Sequence, residues 1–483
     1  MDTENNFGRL LSLLLLTLVI CLALYHMPEK IAGHTLKKVD LLSDLRIKSP
    51  TIVWDDFFAE LEREDSLFMD SVSFIPPIEI THTIDSVSLA LRDSLYRVMY
   101  TQDGADSLGI HIEDYSLGHT GLKRFFATLK NVNSLDRPVR IAFMGDSFIE
   151  GDIIVADFRD AMQKRFGGGG VGFVPVTSAA AQFRPTIDQK VKGWDSYSMT
   201  KNKECCYVLP GMYFEVKGNE ASLSFKTVDR YKALKHVSSV KFLYHQNPGV
   251  NMQFVCNGSS DTLRTTLPSS SAISQYEWKQ DSIVSGSFTF SDAQGFRALG
   301  IALEQEKGII VDNYSLRGNS GFLLQYLNPD DCRDFHKIRP YDLLILQYGL
   351  NAVDESMLQY SWYRSRMIEV IAHVRECFPD TDILLLGVSD KSYQGENGYE
   401  TMPAVLAMLH TQRQIARQTG TPFWNVLGAM GGENSMVRYV ENNWASKDYT
   451  HLSFRGGREI ANAFMNTLML EKEFYDEAEK SFY

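Results

Sequence analysis

The sequence predicts an α/β fold built on a parallel, doubly wound sheet, with an inserted antiparallel β domain and an N-terminal membrane anchor. Three observations lead there. After about residue 121, short apolar runs of buried-strand type alternate with helical patterns. From about 177 to 307 that alternation stops, and short segments of two-residue period appear between Ser, Asn and Gly. Leu10 to Tyr25 is an apolar run without charges, close to the length of a membrane span.

The chain has 483 residues, 44% of them hydrophobic, enough for two or three domains with a full core. Arg9 precedes the first apolar run and Lys30, Lys37 and Lys38 follow it. No small-residue cleavage site comes after it, so an uncleaved signal anchor over 1–28 is expected rather than a removed leader. Residues 29–108 read as a polar stalk with helical pieces at Trp54–Leu67 and Ser86–Met99. The catalytic α/β part is expected over 109–176 and 308–483, and a β-sandwich-like insert over 177–307. Buried strands are expected at Val139–Met144, Ile309–Val311, Leu343–Leu346, Ile383–Leu386 and Phe423–Val426. Helices are expected from Ile154 to Phe166, at Met357–Cys377, at Ala404–Gln418 and from about Phe454 to Leu470. The charged tail Glu471–Lys480 reads as the solvated end of the last one.

Net charge is −12 with no dense Lys/Arg stripe, which argues against nucleic acid as a partner. The six cysteines form no dense framework. In an exported body, one bridge from the Cys205/Cys206 pair to Cys256 is expected. No Cys-x-x-Cys or His-x-x-x-His spacing suggests a metal site, and no cofactor is expected. Trp194, Tyr197, Tyr207, Tyr213, Tyr244, Tyr276 and Trp278 in the insert are candidates for sugar stacking, with a core role the better general expectation.

The residues for chemistry come in a fixed order. Gly145-Asp146-Ser147 ends the first strand, so a hydroxyl stands where a strand turns toward a helix, at the mouth of the sheet. Ser147 is the candidate nucleophile, and backbone N–H groups after it favour negative charge. Gly318 follows a second strand, where a backbone N–H can approach a substrate without a Cβ in the way. Gly349-Leu350-Asn351 follows a third and places an amide at its carboxyl end. His451 is the candidate base, with Asp448 three residues before it to fix its tautomer. Each signal alone is weak: Gly-Asp-Ser arises by chance in about one chain in ten of this length. Their conjunction carries the weight.

At these four blocks the chain resembles the SGNH (GDSL-type) hydrolases, over about 121–475 without the insert. The resemblance implies a flavodoxin-like three-layer fold and a triad of Ser147, His451 and Asp448. It also implies an oxyanion hole made by the N–H groups of Ser147 and Gly318 with the Asn351 side chain. The third block departs from the usual pattern by ending in Ala352. The run Phe166-Gly167-Gly168-Gly169-Gly170-Val171-Gly172-Phe173-Val174-Pro175 and the insert look like the peptidoglycan O-acetylesterase branch, although Phe148 stands where relatives often carry His.

The resemblance implies an envelope esterase that removes O-acetyl groups from a polysaccharide such as peptidoglycan through an acetyl-serine. Two alternatives stand beside it. One is an O-acetyltransferase using the same triad, with a membrane-bound acetyl-transfer protein as partner. The other is a glycan-binding protein without catalysis. The expected location is the periplasmic side of the inner membrane.

Overall fold

The computed structural model describes residues 111–203 and 207–480, together with the paired strand fragments Lys30–Ile31 and His34–Thr35. By compactness the chain divides into one unit of residues 1–75 with 394–398 and a second of 76–393 with 399–483. The described elements below belong to the second. Among the described residues no helix is long and apolar enough to cross a membrane. The anchor expected at Leu10–Tyr25 and the stalk helices lie outside them.

Five parallel strands form the central sheet: β1 (Val139–Gly145), β2 (Ile309–Ser315), β3 (Leu343–Gln347), β4 (Asp382–Leu386) and β5 (Phe423–Trp424). Their spatial order is β2-β1-β3-β4-β5, the flavodoxin-like order, and the short strand Ile112–Glu113 closes the β5 edge antiparallel. All residues of β1 and β3 are buried, as expected of strands covered on both faces, which read as continuous apolar runs. The order reverses at β1, so the crevice above β1, β2 and β3 is where a ligand site is expected.

The flanking helices α1 (Val155–Phe166), α2 (Pro329–Ile338), α3 (Ser361–Cys377), α4 (Pro403–Thr419) and α5 (Phe454–Lys480) fall where the apolar periodicity puts them. Gly167 ends α1 at φ +77°, a conformation that suits glycine. Phe143 of β1, Phe158 of α1 and Phe464 of α5 pack together, with ring centroids 4.9–6.2 Å apart. α5 runs ten residues beyond Leu470. Phe474, Tyr475 and Ala478 are buried and Glu471 is only 8% exposed, so the charged tail is not simply a solvated end. Its charges occupy one face while its apolar residues extend the core.

The interrupting stretch forms a two-sheet antiparallel sandwich. One sheet orders Ser274–Ile283, Val237–His245, Arg297–Glu304, Met212–Val216 and Trp194–Ser198, with Gly172–Pro175 also paired to Arg297–Glu304. The other orders Thr262–Leu267, Val250–Cys256, Ser285–Ser291, Glu220–Thr227 and Ile187–Lys192. Phe242, Phe254, Phe288, Phe290 and Phe296 fill its middle. Tyr207, Tyr213 and Tyr244 are buried, and Trp194, Tyr276 and Trp278 pack against the core, so most of the candidate stacking aromatics serve packing. Tyr197 stacks on Tyr213 at 5.0 Å.

Two expectations change here. Cys256 is a free thiol buried inside the sandwich, so the expected bridge to the Cys205/Cys206 pair is not formed. Residues 205 and 206 themselves lie outside the described set. The glycine run, expected as a cleft wall, packs instead against backbone. A Cβ on Gly168 would sit 2.5 Å from Ile309 N, and one on Gly170 would sit 2.1 Å from Leu303 O.

Buried charges join the sandwich to the sheet. Glu304 of the sandwich is fully buried and accepts from Arg140 of β1 at 2.8 Å and from Arg339, just after α2, at 2.9 Å; Lys241 pairs with it too. Arg339 also holds Asp312 of β2 at 2.8 Å, and Asp312 accepts Phe173 N–H at 2.7 Å. Burial pushes the Glu304 carboxyl up, but Arg140, Arg339 and Lys241 outweigh it and hold it well below the usual carboxylate range.

Candidate active site

Ser147 lies in the turn after β1, and His451 lies just before α5. The two side chains are 304 residues apart in sequence, yet Ser147 Oγ and His451 Nε2 are 3.4 Å apart. His451 Nδ1 donates to Asp448 Oδ2 at 2.7 Å, and the His451 backbone N–H donates to Asp448 Oδ1 at 3.0 Å. Thr450 N–H and the Ser446 hydroxyl donate to Asp448 Oδ1 as well. Partial burial raises the Asp448 carboxyl, but these bonds prevail and hold it below the ordinary carboxylate range. The carboxylate is therefore fixed, ionised and aligned with the imidazole. His451 and Asp448 are each about half exposed, at 49% and 51%, so water reaches both.

Tyr449, between the two, holds φ +52° and stacks on Tyr399 with ring centroids 3.6 Å apart. Positive φ in a bulky residue is uncommon and needs support from its surroundings, which that stacked ring supplies.

The serine turn differs from expectation in one respect. α1 does not begin directly after Ser147. A turn and a short 3₁₀ segment, Glu150–Asp152, intervene, and α1 starts at Val155. Asp152 causes the delay: with φ +66° it is fully buried and takes bonds from Arg159, Arg184, Thr186 and Asn313. The anion-favouring donors near Ser147 are thus turn amides and not the first turn of an α-helix.

The strand register brings the other blocks to the same mouth. Gly145 is the partner of Ser315 on β2 and of Gln347 on β3, so the chain leaving each strand emerges beside Ser147. Gly318 follows β2 with φ +76°. Nothing lies within 4 Å of where its Cβ would be, so glycine is required there by backbone conformation and not by crowding. Asn351 follows β3 in the 3₁₀ segment Leu350–Ala352. Its Nδ2 donates to Asp146 Oδ2 at 2.7 Å and to Asn319 O at 3.2 Å, so both of its N–H groups already have acceptors. To serve an oxyanion, it must release the longer bond.

Asp146 is the site residue that sequence reasoning left as a turn cap. It does cap the turn, accepting Phe148 N–H at 2.9 Å, and it also ties that turn to Asn351. Burial pushes its carboxyl up to about 6, against opposing bonds from Phe148 and Asn351 and the charge of His451. The signal was present in the Gly-Asp-Ser triplet, but its partner 205 residues away was not visible. Among the described residues no group of three or more His, Cys, Asp or Glu side chains is placed to hold a metal ion.

No family model matches the chain, and no curated protein matches it. Solved structures do. A peptidoglycan O-acetylesterase aligns over 75% of this chain and 99% of its own, with a TM-score of 0.61 and 21% identity. A family two carbohydrate esterase from Cellvibrio japonicus aligns over 60% of this chain and 99% of its own at TM-score 0.26 and 9% identity. An acetyl xylan esterase covers 32% of this chain and 79% of its own at TM-score 0.26 and 17% identity. Only the first is close enough to argue from, and at that identity it speaks to architecture. By that measure, with the sheet order and sandwich described above, this chain has the fold of the peptidoglycan O-acetylesterase, the architecture that the SGNH resemblance implies.

Proposed function

We propose that the protein is a serine esterase that removes O-acetyl groups from a cell-envelope glycan, with peptidoglycan as the substrate. The observation that carries this reading is the line from Ser147 Oγ to His451 Nε2 to Asp448, at 3.4 and 2.7 Å, assembled from opposite ends of the catalytic fold. Ser147 attacks the acetyl carbonyl as its proton passes to His451 Nε2, and Asp448 stabilises the imidazolium that forms. The 3.4 Å gap is at the long end for a hydrogen bond, and such gaps close when substrate binds. The negative oxygen of the tetrahedral intermediate is met by the N–H groups of Ser147 and Gly318 and by Asn351, once Asn351 leaves Asn319 O. Collapse returns the proton to the sugar hydroxyl and leaves acetyl-Ser147. Water deprotonated by His451 then releases acetate.

The exposure of His451 favours water as acceptor over transfer to a second sugar. The apolar segment Leu10–Tyr25 supports the further proposal that the catalytic body is exported and tethered at the inner membrane. Mass spectrometry after brief exposure to p-nitrophenyl acetate tests the chemistry. An acetyl group on Ser147 that turns over in wild type, is lost in Ser147→Ala and fails to form in His451→Ala is the expected result. Absence of any acetylation, with no p-nitrophenol released, defeats the reading. Acetate transferred to an added glycan in place of water identifies the transferase.

A further inference from the structure

A cavity of about 430 Å³ opens beside the candidate nucleophile, between the top of β2 and the sandwich. Its place is set by the strands. Ser315, on its wall, is the register partner of Gly145, and Gly151, at its mouth, follows Ser147 by four residues. Phe173, Pro210 and Met212 give it apolar walls from the sandwich side. Two polar side chains also face it, Asn313 and Arg184.

Both are unusual. Asn313 is only 6% exposed, and its Oδ1 is buried without a hydrogen-bond partner. Its amide cannot turn over, because Nδ2 donates to Ile149 O at 2.9 Å and to Asp152 Oδ1 at 2.7 Å, and neither of those oxygens has a proton to give back. Asp152 stays ionised: burial raises it, but Arg159 and Arg184 hold it well below the ordinary range. The Asn313 carbonyl therefore faces the cavity as a fixed acceptor. The Arg184 side chain is 8% exposed. Its Nε donates to Asp152 and Thr186, while its Nη2, though 3.0 Å from Asp152 Oδ2, is buried without a hydrogen bond of its own. Buried polar groups as a rule have partners, and here a donor and an acceptor without one border the same apolar-walled space.

A secondary amide bearing a methyl group answers all three features. Its N–H suits Asn313 Oδ1, its C=O suits Arg184 Nη2, and its methyl suits Phe173 and Met212. We propose that this cavity is a subsite for the acetamido group of an N-acetylated amino sugar neighbouring the ester under attack. The assignment rests on the esterase reading for its place in the reaction, but the cavity's binding chemistry is independent of it.

Three acetyl esters separate the ideas: 6-O-acetyl-N-acetylglucosamine, 6-O-acetylglucose and p-nitrophenyl acetate. Wild type is expected to favour the acetamido sugar over the glucose ester about tenfold in kcat/KM, through KM, as one buried hydrogen bond implies. Asn313→Ala, and Met212→Trp filling the cavity from the sandwich, bring that ratio to near one. A wild-type ratio of one, the result if only water fills the cavity, overturns the proposal. So does a ratio unchanged in both variants once circular dichroism shows them folded. Failure on all three esters sinks the esterase reading instead. The subsite is then judged by saturation-transfer NMR of methyl N-acetylglucosaminide on Ser147→Ala, where the acetamido methyl must show the strongest transfer and must lose it in Met212→Trp.

Discussion

Two carboxylates flank the candidate nucleophile, and their surroundings drive them in opposite directions. Asp146 is buried and pushed up to about 6, while Asp448, half exposed and ringed by N–H and O–H donors, is held low. Under the esterase reading only Asp448 faces the imidazole Nδ1, so only it can hold the tautomer that leaves Nε2 free to accept the Ser147 proton. Asp448→Asn keeps the size of the group but removes the charge and invites the wrong tautomer. The expected loss is roughly 10⁴-fold in kcat with little change in KM, measured on p-nitrophenyl acetate. A loss of less than tenfold would remove Asp448 from the triad. Asp382 shows the opposite physics at the foot of the sheet. Burial pushes it up to about 7, even though it accepts Phe125 N–H at 2.8 Å and lies near Arg124. Asp114 and Glu471 are raised by burial as well, and each of Asp382 and Glu471 also feels the charge of Asp114.

The sign follows from linkage. A carboxyl whose folded pKa lies above its unfolded value of about 4 is released first by the unfolded chain, so stability falls as pH rises between the two. Thermal stability is therefore expected to rise as pH drops from about 8 toward 5, and Asp382→Asn is expected to flatten that rise. An identical pH profile in the variant would show that Asp382 titrates normally.

At the scale of elements, the distance between nucleophile and base depends on how closely α5 meets the segment after Ser147. Gly457, in the first turn of α5, lies so close that a Cβ there would stand 2.1 Å from Ile153 O, and one on Gly456 would stand 2.1 Å from Trp444 O. Backbone cannot yield as a flexible side chain can. Gly457→Ala is expected to push α5 away, destabilising the protein by about 1–3 kcal/mol. Because His451 immediately precedes that helix, it is also expected to lower kcat by up to about 100-fold, as misplacement by about 1 Å does. Denaturant melts and ester kinetics read the two effects separately.

This contact also shows where sequence reading ends. The strands Val139–Met144 and Leu343–Leu346 were legible because burial on both faces forces an unbroken apolar run, and the helices because one face must be apolar. Ser147, Asn351, Asp448 and His451 were legible because each sits at the end of such an element. The delayed start of α1 was not, since it depends on Asp152 being enclosed by Arg159, Arg184 and Thr186. Nor was the engagement of Asn351 by Asp146 and Asn319, nor the burial of the tail by the core beneath it. These are long-range contacts, and local pattern carries no trace of them.

For the whole molecule, the sandwich and the sheet meet through charge as well as apolar packing. Arg140, Glu304, Arg339, Lys241 and Asp312 are mutually satisfied, so losing one member strands the others out of water. Glu304→Ala is expected to destabilise the protein by about 3–5 kcal/mol, read by chemical denaturation, with sandwich and sheet unfolding in one transition. Two separate transitions would mean that the joint is weaker than its burial implies.

That joint bears on how such a protein can be dissected or recombined. A sandwich cut out at its chain boundaries would carry Glu304 into solvent without its two arginines, and the remaining sheet would expose Arg140 and Arg339 with no acid to face. Grafting a foreign sandwich onto this sheet would then succeed only when the graft brings an acidic residue to the same spot. The pair travels as a matched lock, so changes of glycan preference are easier to reach by remodelling the sandwich in place than by exchanging it.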